Sequence, residues 1–120
     1  MLSLPPAVRI FVAREPTDLR KSFDTLAALV PTVLAQDAFS GHLFCFFNRR
    51  ADRVKLLVWD RTGFWLFYKR LEAGRFSIPG AGAGPRVEWT ARELFLVLEG
   101  IELGAVRQRR RYGRPASAAT

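Results

Sequence analysis

The stretch RVKLLVWDRTGFWLFYKR, residues 53–70, decides the fold of this chain. Two runs rich in aliphatic and aromatic residues flank the polar segment DRTG. Such a segment is typical of a short hairpin loop, because its glycine tolerates a positive φ angle. The stretch therefore predicts two antiparallel strands, Arg53–Trp59 and Phe64–Arg70. It also raises a functional question, because it holds two tryptophans, one tyrosine and five cationic side chains.

The alternation of side chains along a strand predicts which of these residues face the core. In the first strand one face is purely aliphatic and is expected on the core: Val54, Leu56 and Val58. In the second strand we expect Phe64 and Leu66 on the core, since they form its more apolar face. This assignment leaves an outer surface of lysines and indoles: Lys55, Lys69, Trp59 and Trp65. A soluble monomer rarely exposes such a patch without a partner, and the competing interpretation is that each indole packs in the core or between subunits.

Short apolar runs elsewhere in the chain predict further strands at 8–12, 42–47 and 86–89. The strand at 42–47 directly precedes the hairpin, so three consecutive antiparallel strands form a meander in the simplest pairing. A glycine- and proline-rich stretch, 73–86, is predicted as a mobile surface loop.

Two helices are predicted from apolar residues at helical spacing. The first has Thr17 or Asp18 as its N-cap, and Pro31 should kink or end it because proline lacks a backbone N–H. The second is predicted to begin after Thr90, because Thr90 and Glu93 have the spacing of a capping box.

Length and composition agree with one folded domain. A chain of 120 residues suits one domain, and a hydrophobic share of 49% excludes global disorder. We predict the α+β class, with an antiparallel β-meander and helices packed on one face. The domain is expected at 1–104, followed by a basic, disordered tail at 105–120.

The single cysteine and the single histidine limit the chemistry of the chain. Cys45 has no second cysteine for an internal disulfide, and with His42 it falls short of the roughly four ligands of a structural zinc site. We therefore predict no metal and no cofactor. No signal peptide or membrane span is recognised, so a soluble cytoplasmic protein without a membrane partner is expected.

The charge of the chain favours a polyanionic partner. The formal net charge is +8, and the segment 105–120 carries five arginines and no acids. A basic protein of this size attracts nucleic acid, although solubility alone is the alternative explanation for the charge. The tail arginines expected to contact phosphate are Arg107, Arg109, Arg110 and Arg111.

The aspartates near strands and turns do not predict catalysis. A metal-dependent nuclease needs acids that converge on a cation, and the candidates are Asp18, Asp24, Asp52 and Asp60. Asp18 fits a helix cap, whereas Asp52 and Asp60 fit turn positions, where aspartate accepts hydrogen bonds from local backbone N–H groups. We therefore predict that the protein is not an enzyme.

Three segments carry a resemblance to a known family: TDLRKSFDTLAALV, FSGHLFCFFNRRADRVKLLVWDRTGFWLFYKRLEAGRF and ELFLVLEGIEL. They resemble the small accessory protein of the insertion-sequence-66 transposons, often called TnpB. The resemblance runs from about Val8 to Leu103 and is densest between Asn48 and Phe76. It implies a bacterial protein that is encoded beside a separate transposase and needed for efficient transposition, with catalysis supplied by that larger partner.

These observations together predict a noncatalytic transposition accessory protein that binds DNA, at transposon ends, through a basic and aromatic sheet surface. Besides the four tail arginines, the predicted contacts are Arg49, Arg50, Arg53, Lys55, Trp59, Trp65, Tyr68, Lys69, Arg70 and Arg75. The alternative is a protein-interaction module, in which the aromatic face docks on the partner transposase or on a second copy of the chain to form a homo-oligomer.

Overall fold

The centre of the fold is the short strand LFCFF, in which every side chain is buried. The structure, a computed structural model, describes residues 7–78 and 83–100. A strand that is apolar on both faces needs cover on both faces. The chain provides this cover with helical segments on each side of the sheet, so the fold has three layers.

Within the described residues, five strands form one mixed sheet. They are β1 Ile10–Ala13, β2 Leu43–Phe47, β3 Arg53–Trp59, β4 Phe64–Arg70 and β5 Arg86–Trp89. Their order across the sheet is β4-β3-β2-β1-β5, so β4 and β5 are its edges. β2, β3 and β4 form an antiparallel meander, and β5 is antiparallel to β1. β1 and β2 are parallel, because a helical connection carries the chain between them.

One face of the sheet is covered by helix α1, Phe23–Leu29, and by the π-helical turn Val30–Leu34 that follows it. The helix begins later than the sequence predicts. Its N-cap is Ser22 and not Thr17 or Asp18, because Asp18 begins a separate turn, in which its carbonyl oxygen accepts from the Lys21 N–H at 3.2 Å.

The change from α-helix to π turn occurs beside Pro31, where the sequence predicts a kink or an end. Proline has no N–H to continue the α-helical hydrogen-bond pattern. The turn closes at Ala35, which adopts the left-handed conformation with a φ of 54°. The main buried side chains on this face are Phe11, Leu26, Val30, Leu34, Phe44, Phe46 and Leu57.

The opposite face is covered by helix α2, Ala91–Leu98, and by the segment 71–78. The predicted capping box is present: the Thr90 hydroxyl accepts from the Glu93 N–H at 3.1 Å, and the Glu93 carboxylate accepts from the Thr90 N–H at 2.8 Å. The segment 71–78 belongs to the stretch predicted as a surface loop. Its Phe76 is nevertheless buried, with its ring centroid 5.4 Å from a ring of β2.

The α+β class and the antiparallel meander are confirmed. The helices, however, lie on opposite faces of the sheet and not on one face, since α1 and α2 contribute to two separate cores. The tail predicted at 105–120 and the centre of the predicted loop, 79–82, lie outside the described residues. In the described part of the chain, no helix has the length and apolar character that crossing a bilayer requires.

Candidate nucleic-acid interface

The register of the β3–β4 hairpin separates the two tryptophans that the sequence analysis places on one face. Trp59 pairs with Phe64, so each odd-numbered residue of β3 lies opposite an even-numbered residue of β4. Directly paired residues share a face of the sheet. Trp59 and Lys55 therefore face the α1 side, whereas Trp65 and Lys69 face the α2 side. The prediction that both indoles and both lysines lie on one surface of the sheet is therefore wrong.

Three rings meet where β3 ends and β4 begins, and we call this group the aromatic end: Phe39, Trp59 and Phe64. Their ring centroids lie 4.9 to 5.3 Å apart. Phe39 precedes β2, is 59% exposed and was missed by the sequence analysis, because one phenylalanine between turn residues has no periodic pattern. Trp59 is half-buried in this cluster, so most of its apolar surface already has partners within the chain.

Trp65 lies on the other face of the same hairpin and is 55% exposed. Its indole N–H donates to Asp60 Oδ2 at 2.5 Å, and its ring stacks on Phe67 with centroids 6.0 Å apart. Asp60 Oδ1 accepts from the backbone N–H groups of Thr62 and Gly63, both at 3.1 Å. The hydrogen bond from the Thr62 N–H, followed by that from the indole, lowers the pKa of Asp60. This aspartate therefore organises the hairpin loop.

The two lysines predicted to contact phosphate make contacts within the protein. Lys55 is 8% exposed; its Nζ donates to the Lys21 carbonyl oxygen at 2.8 Å and lies 5.0 Å from the centroid of the Tyr68 ring. Lys69 Nζ donates to the Leu98 carbonyl oxygen at 2.6 Å, at the C-terminal end of α2, where a cation interacts favourably with the helix dipole. Both lysines thus have a structural role, each on a different face of the sheet.

Five of the predicted arginines gather at the other end of the hairpin, and we call this group the basic end: Arg49, Arg50, Arg53, Arg70 and Arg75. The β2–β3 turn carries the first two, and the strand register pairs Arg53 directly with Arg70. A hydrogen bond of 2.6 Å from the Phe76 N–H to the Ala51 carbonyl oxygen brings the fifth beside that turn. At about 3.3 Å per residue, β3 separates the basic end from the aromatic end by roughly 20 Å.

Asn48 holds the turn that presents the basic end. Its Oδ1 accepts from the N–H groups of Asp52 and Arg53 at 3.1 and 3.0 Å, and its Nδ2 donates to Asp52 Oδ1 at 2.7 Å. The side-chain hydrogen bond from Asn48 is the main cause that lowers the pKa of Asp52. Ala51 adopts the left-handed conformation with a φ of 58°. The sequence predicts a polar turn here, but no local pattern marks Asn48 as the residue that positions it.

The basic end has more arginines than acids to balance them. Glu72 pairs with Arg70 at 3.2 Å, and Asp52 approaches Arg50 at 4.0 Å. Water screens such pairs, since the two arginine side chains are 57% and 81% exposed. Three members of the group form no ion pair with any carboxylate in residues 7–78 and 83–100: Arg49, Arg53 and Arg75.

A cleft of about 450 Å³ opens beside the basic end. The segment 16–20 forms one wall, and Asn48, Arg49, Arg53 and Tyr68 form the other. Tyr68 is 54% exposed, and its hydroxyl oxygen accepts from Arg53 Nη1 at 3.4 Å. The cleft therefore combines an aromatic ring with guanidinium groups, as the sequence analysis expects of a nucleic-acid contact, but at Tyr68 and not at the tryptophans.

The carboxylate in the cleft wall, Asp18, is neutralised by a neighbour. Its Oδ2 accepts from Arg20 Nη2 at 2.7 Å, and its Oδ1 accepts from the Arg20 backbone N–H at 3.0 Å. The side-chain hydrogen bond from this arginine is the largest cause that lowers the pKa of Asp18. Asp18 and Arg20 thus form a neutral pair in the cleft wall, and neither was among the predicted DNA contacts.

The remaining predicted residues divide into two groups. The tail arginines lie outside the described residues: Arg107, Arg109, Arg110 and Arg111. The four aspartates considered for metal binding do not converge, since no group of three or more acids, histidines or cysteines in the described part of the chain could hold a metal ion.

Comparison with known proteins identifies the family. Residues 8–108 match the family described as IS66 Orf2 like protein. The chain belongs to the IS66 Orf2-like family. This confirms the resemblance seen in the sequence, and IS66 Orf2-like proteins are accessory proteins of transposition.

Two relatives of this IS66 Orf2-like chain come from Sinorhizobium fredii (strain NBRC 101917 / NGR234), and both are called uncharacterized proteins. The protein y4jC is 33% identical over 109 residues, which cover 91% of this chain and 92% of the relative. The protein y4hO is 36% identical over 102 residues, which cover 85% of this chain and 88% of the relative. No solved structure matches the chain.

Proposed function

We propose that this chain is a noncatalytic accessory protein of transposition that holds DNA, at the transposon ends, through its basic end. The observation that carries the proposal is the direct pairing of Arg53 with Arg70 beside the arginines of the β2–β3 turn. Like charges placed directly opposite each other destabilise a sheet. A phosphate bound between the guanidinium groups makes the same arrangement favourable, so a polyanion is the partner that this end fits best.

Arginine suits this role because its planar guanidinium group can donate two parallel hydrogen bonds to one phosphate. Each phosphate that the protein neutralises also releases counterions from the DNA, so the binding should weaken steeply with salt. Contacts of this kind fix the position of the protein on DNA without reading its sequence. The choice of the transposon end would then come from the transposase, with which the protein is expected to act in the cytoplasm.

The proposed set of DNA contacts contains fewer residues than the set predicted from the sequence. They retain the five arginines of the basic end and Tyr68. They leave out Lys55 and Lys69, which are engaged within the protein, and Trp59 and Trp65, which lie at the far end of the hairpin. The contacts of the tail arginines stay a prediction. They would strengthen binding to DNA without contributing to the geometry of the site.

Charge reversal at the turn tests the proposal. We expect Arg49→Glu/Arg50→Glu to weaken binding of a labelled transposon-end duplex at least about tenfold, and to reduce the slope of log affinity against log salt by roughly two units. Fluorescence anisotropy between about 50 and 200 mM salt measures both quantities.

The control for this charge reversal is Arg92→Glu, and the single variant Arg49→Glu is the comparison with the same change of net charge. Arg92 is an exposed residue in the first turn of α2, which follows β5 at the opposite edge of the sheet from β4. This variant should bind the duplex within about twofold of the wild type, apart from the general effect of net charge. Affinity that does not depend on salt, or an equal loss in Arg92→Glu and in the double variant, would contradict the proposal.

A second candidate function is docking on the transposase through the exposed rings near the β3–β4 loop. It is favoured by the exposure of Phe39 and Trp65, 59% and 55%, because large aromatic side chains dominate the energy of protein interfaces. The double variant Phe39→Ala/Trp65→Ala should then lose co-purification with the transposase, whereas the charge-reversed turn keeps it. The opposite pattern would remove this candidate.

A further inference from the structure

We infer that the cleft at the basic end takes an unpaired nucleotide, so that the protein binds DNA with a single-stranded tail more tightly than blunt duplex. The inference rests on the proposed function and adds to it the form of DNA that the site selects. The cleft, of about 450 Å³, lies within the usual range of small-ligand pockets, and its walls carry both a ring and cations.

Tyr68 is the surface on which a base would stack. The residue lines the cleft and is 54% exposed, although it lies in the middle of a strand. The buried Lys55 amine lies 5.0 Å from the ring centroid, and Arg53 donates to the hydroxyl at 3.4 Å. These two contacts hold the ring in place before any ligand arrives, which lowers the entropy lost on binding.

The cations of the cleft are placed for the phosphate of the same nucleotide. Arg49 and Arg53 share the wall with the ring. Arg20, in the segment that forms the other wall, neutralises Asp18, so the carboxylate of the cleft does not repel an anion at full strength. A base that is stacked and paired within a duplex has no free ring face to offer, whereas an unpaired base does.

The polar groups near the ring favour a tolerant site. The Asn48 side chain is committed to the turn, and the Thr17 backbone N–H donates to the Phe47 carbonyl oxygen at 2.8 Å. Neither of these two groups is therefore free to read the hydrogen-bonding edge of a particular base. Stacking accepts every base, so we expect preference for an unpaired nucleotide with little preference among sequences.

The test uses two labelled DNA hairpins of identical stem sequence, one blunt and one with a short unpaired tail. Stacking of one base on an aromatic side chain is worth roughly 5- to 150-fold in affinity, so the wild-type protein should bind the tailed hairpin about tenfold more tightly. Tyr68→Ala should lose this preference and bind the two hairpins with equal affinity. Tyr68→Phe should keep the preference, because the ring is retained.

Two further variants separate stacking from folding and from charge. Tyr68→Leu keeps an apolar side chain on the strand without a ring and should lose the preference as Tyr68→Ala does, with a melting temperature close to that of Tyr68→Phe. Arg49→Glu/Arg50→Glu should weaken binding of both hairpins.

The possible failures are distinguishable. Equal affinity of the wild type for tailed and blunt hairpins, or a preference that survives in Tyr68→Leu, would overturn the inference and leave the proposed function standing. Absence of binding to either hairpin would overturn both.

Discussion

The two ends of the β3–β4 hairpin treat their side chains in opposite ways. At the aromatic end the rings contact one another, and Asp60 satisfies both the loop backbone and the Trp65 indole. At the basic end Arg53 faces Arg70, and part of the positive charge has no carboxylate partner in the described residues. The rings of the first end thus have partners within the chain, whereas the second end keeps positive charge that no carboxylate of the described residues balances.

A sequence segment that mixes rings and cations does not show by itself that the two kinds of residue form one site. A strand about 20 Å long can carry both kinds of residue and still keep them at separate places. Composition along the segment shows that both are present, and only the register shows whether they act together. In this protein the ring that lies beside the arginines is Tyr68, whose hydroxyl accepts from Arg53, and not either tryptophan of the hairpin.

The largest expected loss of stability follows from truncating Lys55, which lies between the two ends of the hairpin. We expect Lys55→Ala to lower the free energy of unfolding by about 2–4 kcal/mol, because it removes buried packing and leaves the Lys21 carbonyl oxygen without its donor. Urea denaturation measures the change. The matched variant Lys69→Ala removes an exposed lysine and should cost only about 1 kcal/mol. Equal losses in both variants would mean that Lys55 is not the buried amine described above.

The two tryptophans of the hairpin should respond differently to truncation. Trp59→Ala removes a half-buried ring from a three-ring cluster and should lower the free energy of unfolding by about 2–3 kcal/mol. Trp65→Ala removes an exposed ring and should cost about 1 kcal/mol. Neither change should alter affinity for duplex DNA by more than about twofold, since neither residue lies at the basic end. If both variants lost as much DNA affinity as the charge-reversed turn, the tryptophans would be DNA contacts, which contradicts the proposal.

A smaller effect is expected at Asn48. Asn48→Ala removes the hydrogen bonds that hold the β2–β3 turn and should lower the free energy of unfolding by about 1–2 kcal/mol. DNA affinity should fall by about threefold, because the two arginines of the turn lose their fixed positions. The control is Ala51→Gly in the same turn, which relieves a positive φ and should keep both stability and affinity. A variant Asn48→Ala with unchanged thermal stability would contradict the role given to this side chain.

The smallest effect is the acid response of Asp60. Its pKa is lowered in the folded protein, so its contribution to stability is present above about pH 4 and is lost as the pH falls through the folded value. Asp18 and Asp52 also have lowered pKa values, so a global melt would mix several groups. The Trp65 indole N–H resonance isolates the site and should shift below about pH 4, as the pH falls through the lowered pKa of Asp60. In Asp60→Asn this titration should disappear, and its persistence would assign it to another group.

Much of the fold could be predicted from the sequence, because its local patterns are strong. The bounds of β3, β4 and β5 match the predicted strands, and the capping box of α2 is where Thr90 and Glu93 place it. The parallel pairing of β1 with β2 and the position of β5 beside β1 were not predicted. These contacts join residues more than 30 positions apart, and no turn or capping residue records them.

The site could be predicted only in part, for a physical reason. Apolarity alone was used to choose the inner face of β4, but β3 and β4 have helical segments on both faces, so apolar residues occur on both. The four-residue loop between Trp59 and Phe64 was the better guide, because loop length sets which residues pair. The position of the arginines in the β2–β3 turn could be predicted without choosing an inner face, since a turn lies at the end of a sheet whichever face is inside.

The most direct test of the account is a two-dimensional NMR titration of the protein with a duplex DNA hairpin. If DNA binds at the basic end, the backbone amide resonances of Arg49, Arg50, Arg53 and Arg70 should shift, and the indole N–H resonances of Trp59 and Trp65 should not. Shifts of both indole resonances with the amides of the turn unaffected would contradict it, because the polyanion would then lie at the aromatic end.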